Sequence, residues 1–291
     1  MANKKSLDSL VSDIYSEIEV LGQNKNLDIP EDLIEDFGER MKEVMRHWAT
    51  PKEQSKGLRM SNIGRPARQL WYESRDEEDK RPSYAPTYIK FLYGHMLEEV
   101  LLLLVKISGH EVTDEQKEVE VDDIKGHIDC KIDGEVVDVK TASNFGFRKF
   151  KEGNVHNDDP FGYMYQLAGY EEAEGTNKGG FLAINKETGE LAFNRPLDLT
   201  KPDVKPRIES LKNIIQQDIP PDRCYHPVFE GKKGNMRLAT GCVYCKFKNE
   251  CWSDVNNGHG LRVFKYSNGL KYFTKVMSTP NVQELRLDEQ Q

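Results

Sequence analysis

The sequence predicts a mixed α/β fold: a mixed central sheet flanked by helices, with an N-terminal helical pair and a small cysteine-bound C-terminal lobe. Three observations carry this. Apolar residues recur at helical spacing over residues 7–21, 33–48 and 88–107. Alternating strand-like stretches bracket Asp133-Gly134, a favoured two-residue hairpin turn. Four of the five cysteines fall within 28 residues near the C-terminus.

The first helix is marked by Leu7, Leu10, Val11, Ile14, Ile18 and Leu21. Gly22 to Asn26 breaks it. Asp28 then caps a second helix, with Pro30 in its first turn and a stripe from Leu33 to Trp48. This pair, residues 1–50, reads as a packing appendage. Residues 51–86 are rich in Pro and Gly, with room for a short helix at Ala67–Tyr72. A long helix is expected from about Tyr88 to Ile107.

Strands follow at Glu118–Val121, His127–Ile132 and Glu135–Thr141, the last two forming the Asp133-Gly134 hairpin. Asp159-Pro160 starts a helix over Tyr163 to about Glu172. Phe181–Asn185 and Leu191–Phe193 make a second strand pair, and Pro206 opens another helix. Leu261 to Val276 alternates across Asn268-Gly269, a further hairpin signal. The tail after Thr279 is expected to fray.

Composition narrows the function classes. The 291 residues carry a net charge of -8, with 37% hydrophobic and 31% charged side chains. The longest apolar run, Val100 to Val105, is far too short to span a bilayer. No membrane association is expected, no secretory leader is read at the start, and a cytoplasmic setting follows. Residues 1–50 hold -5 and residues 284–291 hold -2, so the long middle is only -1. A nucleic-acid partner is therefore compatible with the charge, provided its binding surface is local.

The hairpin carries the chemistry. Asp129 and Asp138 are equidistant from its turn, so they face one another with Cβ atoms about 5 Å apart. Lys140, two residues on, shares their face. Paired carboxylates repel unless a cation sits between them, and oxygen ligands suit Mg²⁺ or Mn²⁺. A solvent-facing acidic pair bridged to Lys140 is the plainer alternative. Upstream, His95 and Glu98 lie one turn apart on the long helix. Downstream, Gln166 and Tyr170 share one helix face.

In this order, His95, Gly126-x-x-Asp129, Asp138-x-Lys140 and Gln166-x-x-x-Tyr170 resemble the motifs of RecB-type nucleases of the PD-(D/E)XK superfamily. The resemblance covers roughly residues 57–251. It implies a restriction-endonuclease-like core at 51–220 and a module at 221–291. It also implies a metal-dependent DNA nuclease, an exonuclease acting on ends or single strands, in recombination, repair, replication or DNA degradation. Phage encode stand-alone versions, for which the compartment is the host cytoplasm. By the same resemblance His95, Asp129, Asp138 and the Val139 carbonyl hold the metal. Lys140 is the catalytic lysine, and Gln166 and Tyr170 contact substrate and position the site. Glu98 and Glu118 are further candidate acids. Related exonucleases form rings, so a homo-oligomer, or a recombination or replication partner protein, stays open.

Cys242-x2-Cys245-x5-Cys251, with Cys224 upstream, has spacing for a structural metal or a cluster. The run resembles the cysteine triplet of the iron–sulfur branch, which includes AddB and the CRISPR-associated RecB-like exonucleases. That branch takes its fourth cysteine from near the start of the nuclease domain. Here the matching stretch, Gly64 to Tyr72, has none; Ala67 stands where a cysteine is expected, and Cys224 is its natural replacement. A [4Fe–4S] cluster is the first expectation and structural Zn²⁺ the second. Cys130 should face the core.

Residues 224–248 hold +4. Lys232, Lys233, Arg237, Lys246 and Lys248, with Tyr244, Phe247 and Trp252, are candidates for phosphate contact and base stacking. Arg59, Arg65 and Arg68 form a second basic group, and Arg148, Lys149 and Lys151 a third. Two other readings remain at this stage: a non-catalytic nucleic-acid-binding protein of the same fold, and a cluster-bearing structural subunit of a larger DNA-processing complex.

Overall fold

The computed structural model describes residues 5–50, 57–76, 85–157 and 159–285. The loops expected at 51–56 and 77–84, and the tail from residue 286, lie outside them. In chain order the helices α1 Leu10–Ile18, α2 Glu31–Ala49, α3 Ala67–Glu73 and α4 Ala85–Ile107 come first. Next are β1 Val112–Thr113, β2 Glu118–Val121, β3 Ile124–His127, β4 Cys130–Ile132 and β5 Glu135–Ala142. Then come α5 Asn144–Lys151, α6 Tyr163–Glu174, β6 Gly180–Asn185, β7 Leu191–Asn194 and α7 Val204–Ile215. The cysteine region adds β8 Val228–Glu230, β9 Asn235–Arg237, α8 Thr240–Val243 and α9 Lys248–Cys251. The strands β10 Arg262–Tyr266, β11 Gly269–Lys275 and β12 Glu284–Leu285 finish the described chain.

Two compact units result, one from Met1–Gly64 with Glu77–Lys212, the other from Arg65–Asp76 with Asn213–Gln291. The grouping does not follow a linear division at residues 50 and 220. Among the described residues, no helix is long and apolar enough to cross a membrane.

The first unit is mixed α/β. Its central sheet has the order β1-β4-β5-β6-β7; β5 and β6 run parallel and the other neighbours antiparallel. Burial explains its strands. Val137 and Val139 pack with Leu101, Leu102 and Val105 of α4, and with Leu7, Leu10 and Ile14 at the N-terminus. The N-terminal stripe is thus part of this core rather than an appendage. Cys130 is fully buried in the same cluster. The alternate residues of β5 point the other way. Asp138 pairs with Phe181, whose ring meets Phe150 of α5 and Tyr163 of α6.

The stretch expected as one strand, His127–Ile132, is two. Asp122 and Asp123 adopt left-handed backbone (φ 47° and 61°), which Asp tolerates, and fold β2 onto β3 as a separate two-stranded sheet. The chain then leaves that ladder, and β4 pairs with β5. Asp129 lies at the joint.

The second unit has its own antiparallel sheet, ordered β12-β10-β11-β9-β8. Leu238, Trp252, Leu261, Val263 and Tyr272 form its core with Cys242. Pairing of Tyr266 with Gly269 leaves Ser267-Asn268 as the hairpin loop, one residue earlier than the Asn-Gly signal places it. The segment expected to fray reaches Leu285 as an edge strand, secured by Arg262 and Glu284 at 2.7 Å.

Candidate active site and cysteine pocket

The β4–β5 hairpin turns through Asp133 (φ 52°) and Gly134 (φ 89°). Its register pairs Cys130 with Val137, so one step outward Asp129 stands opposite Asp138. Asp129 Oδ2 accepts the Val139 amide hydrogen at 2.7 Å. Asp138 is 1% exposed. Its Oδ1 is buried with no hydrogen-bond partner, and its Oδ2 is met by Lys140 Nζ at 2.5 Å without hydrogen-bond geometry. The Lys140 ammonium also lies over the Tyr163 ring, 5.1 Å from its centre.

The electrostatics follow from burial and crowding. Burial, reinforced by the charge of Asp138, pushes Asp129 up to about 7. Burial also raises Asp138, against the pull of Lys140. Lys140 loses by burial but gains more from the two acids, and its pKa is raised. Glu98 of α4 is pushed up to about 8, by burial first and then by the charges of Asp129 and Glu99. Three carboxyl groups and one ammonium thus influence one another's charge. Glu98 also accepts from Gln116 Nε2 at 2.8 Å.

His95 sits exposed on α4. Among the described residues, no three His, Cys, Asp or Glu side chains converge closely enough to hold a metal ion. The expected ligand set of His95, Asp129 and Asp138 is thus not assembled, although its two acids are juxtaposed. Glu118 stands apart on β2 and pairs with Lys125 at 2.8 Å.

Gln166 Nε2 donates to the Tyr170 hydroxyl at 3.2 Å, so the pair shares a helix face. Tyr170 is 1% exposed and therefore has no free surface for substrate. Burial, with the nearby Asp138 and Asp129 charges, pushes its phenol up to about 12 and keeps it protonated. It backs Gly126: a Cβ there would lie 2.8 Å from Tyr170 Cε1 and 2.5 Å from Met60 Cβ. The glycine three residues before Asp129 is a close-packing requirement.

The basic candidates divide by placement. Arg148 is exposed on α5, and Lys149 lies 5.9 Å from the centre of the exposed Phe145 ring. Lys232 is exposed beyond β8. Arg65 pairs with Glu73 at 3.4 Å and Lys246 with Asp76 at 2.9 Å. Arg68, expected at the DNA surface, is turned inward instead. Its Nε donates to Cys251 Sγ at 3.1 Å and its Nη1 to the Pro221 carbonyl at 2.5 Å.

Cys224, Cys242, Cys245 and Cys251 line one pocket with Arg68, Gln69 and Tyr72 of α3. The amides of Gln69 and Arg68 approach Cys224, which therefore reaches the helix that Ala67 begins. Burial and the neighbouring sulfurs raise Cys242 to about 11, and burial raises Cys224 and Cys245. Crowded sulfurs with raised pKa values are what a bound cationic centre relieves. The all-sulfur donor set is the chemistry that an iron–sulfur cluster or Zn²⁺ takes, although among the described residues no three of these cysteines close on one point. At the hairpin, the orphaned Asp138 Oδ1 beside Asp129 fits a hard divalent cation.

No family model matches the chain, and no curated protein matches it. Solved structures similar to it include two of low identity. The SSO0001 protein is 21% identical, with a TM-score of 0.41 over 75% of this chain and 92% of that one. The alkaline exonuclease LHK-Exo from Laribacter hongkongensis is 13% identical, with a TM-score of 0.39 over 55% of this chain and 90% of that one.

Proposed function

We propose that the protein is a divalent-metal-dependent DNA nuclease, an exonuclease that hydrolyses phosphodiester bonds in recombination, repair, replication or DNA degradation. One observation carries this reading: a buried carboxylate, Asp138, has an unpartnered oxygen beside a second acid, Asp129, and a buried ammonium, Lys140. An unmet buried acceptor is costly to keep for packing alone.

In this reading Asp129 and Asp138, with the Val139 carbonyl, hold Mg²⁺ or Mn²⁺. The cation supplies Lewis acidity toward the phosphate and the attacking water. Lys140 stays protonated at neutral pH, so it stabilises charge on the phosphate oxygens instead of taking a proton. Glu98, which burial and the charge of Asp129 push up to about 8, is the acid we assign to exchange a proton with the attacking or leaving oxygen. Gln166 and Tyr170 position the hairpin from behind. Cys224, Cys242, Cys245 and Cys251 hold a [4Fe–4S] cluster of structural role. In support, the four sulfurs line one pocket. Zn²⁺ is the alternative occupant.

The test is cleavage of end-labelled DNA with Mn²⁺ or with chelator. Shortening that requires Mn²⁺ and is lost in Asp138→Ala and Lys140→Ala supports the assignment. DNA that is retarded but never shortened indicates a binder. Cleavage that survives both substitutions overturns the site.

A further inference from the structure

Phe161 is 58% exposed although it sits on a turn whose backbone is tied down on both sides. Three amides in succession, those of Gly162, Tyr163 and Met164, donate to the Asp159 carboxylate at 2.8–2.9 Å. Gly162 has φ 80°, and the chain at Gly64 presses so close that a Cβ there would lie 2.4 Å from Gly162 Cα. An exposed aromatic ring on a rigid turn buries little of its own surface, so folding alone does not explain it.

The ring is also oriented. It stacks on Tyr163, with centres 5.5 Å apart and planes 26° from parallel. Tyr163 in turn touches Phe150 and Phe181 from the core, and holds the Lys140 ammonium over its face. A continuous run of rings thus leads from solvent to the ammonium beside Asp138. On α5, Arg148 is exposed, and Lys149 accompanies the exposed Phe145.

We infer that Phe161 is a base-stacking residue. It takes the face of an unpaired nucleobase next to the phosphate that Lys140 faces. This rests on the nuclease reading above and specifies its substrate: a nucleotide already free of its duplex partner, since a base within a duplex has both faces covered by its stacked neighbours. Stacking on an aromatic side chain is tolerant of base identity, which suits an enzyme that removes nucleotides irrespective of sequence. The role is positioning: Phe161 fixes the nucleotide so that its phosphate stays at the hairpin of Asp129, Asp138 and Lys140.

The experiment uses the full chain, a single-stranded oligonucleotide carrying 2-aminopurine at its terminal positions, and a blunt duplex of the same sequence. Binding is measured in Ca²⁺ so that turnover is suppressed, and cleavage separately in Mn²⁺. Wild type and Phe161→Trp should quench the probe. Phe161→Leu and Phe161→Ala should lose the quench and bind the single strand about tenfold more weakly, with duplex binding unchanged. Phe161→Leu keeps apolar bulk, so a loss there separates stacking from simple burial. Unchanged quench and affinity in both variants, with wild type still cleaving, overturns the stacking role alone. Wild type that binds and cleaves no DNA overturns the nuclease reading and this inference together.

Discussion

The Val139 amide donates to Asp129 Oδ2 at 2.7 Å, fixing one acid of the hairpin against the backbone of the strand that carries the other. The acid held this way is pushed up to about 7, chiefly by burial and then by Asp138. Its folded-state pKa thus lies above the ordinary 3.8. Proton loss then favours the unfolded chain, so this contribution to stability is lost as pH rises between those two values. Asp129→Asn should therefore raise the thermal midpoint in chelator at pH 8 while abolishing cleavage. The gain should shrink toward pH 4. Thermal unfolding across that range checks it; a variant less stable than wild type at pH 8 contradicts it.

Gly126 is held against Met60 and Tyr170. Gly126→Ala should cost about 1–3 kcal/mol in urea unfolding, because the added methyl must displace one of them. Cleavage should fall as well, since Asp129 follows three residues later. A variant as stable and active as wild type shows that Tyr170 gives way freely.

Glu174 is nearly buried and is contacted by Lys131 and, at 2.9 Å, by Lys117. Burial raises its pKa, but the two lysines outweigh burial and hold it below the ordinary 4.5. The stabilising contribution is thus present above 4.5 and disappears as pH falls through the lowered value. Glu174→Gln should cost about 1–3 kcal/mol at pH 7 and much less near pH 3. Equal costs at the two pH values rule out the ion pairs as the cause.

The cysteine pocket gives a visible readout. Protein purified without air should be brown, with about four iron atoms per chain. Cys224→Ser should reduce the iron sharply. Arg68→Met should keep it initially but lose it several-fold faster in air, because Cys251 loses its guanidinium donor. A colourless wild-type protein that retains zinc assigns the pocket to Zn²⁺.

Local chemistry made the hairpin legible. Asp133-Gly134 specifies the turn, and equal spacing on either side places Asp129 against Asp138. The fold class followed from helical stripes and alternating strands. What stayed hidden depends on contacts distant in sequence. The α1 stripe looks the same whether it covers a core or stands apart; here Leu10 and Ile14 belong to the same buried cluster as Val137 and Val139. Arg68 reads as a surface cation until residues 183 positions away bring Cys251 to it. Asp122-Asp123 lacks the glycine that usually marks such a turn, so no local signal announces the β2–β3 hairpin. Tyr163 and Phe161 carry no motif, and only their stacking beneath and beyond Lys140 draws attention to them.

The most direct check is calorimetric titration of Mn²⁺ into wild type, Asp129→Ala and Asp138→Ala at pH 7.5. Saturable binding to wild type, lost in both variants while their folds persist by circular dichroism, is the expected result. Equal binding by all three proteins would place the cation elsewhere and remove the basis for assigning hydrolysis to this hairpin.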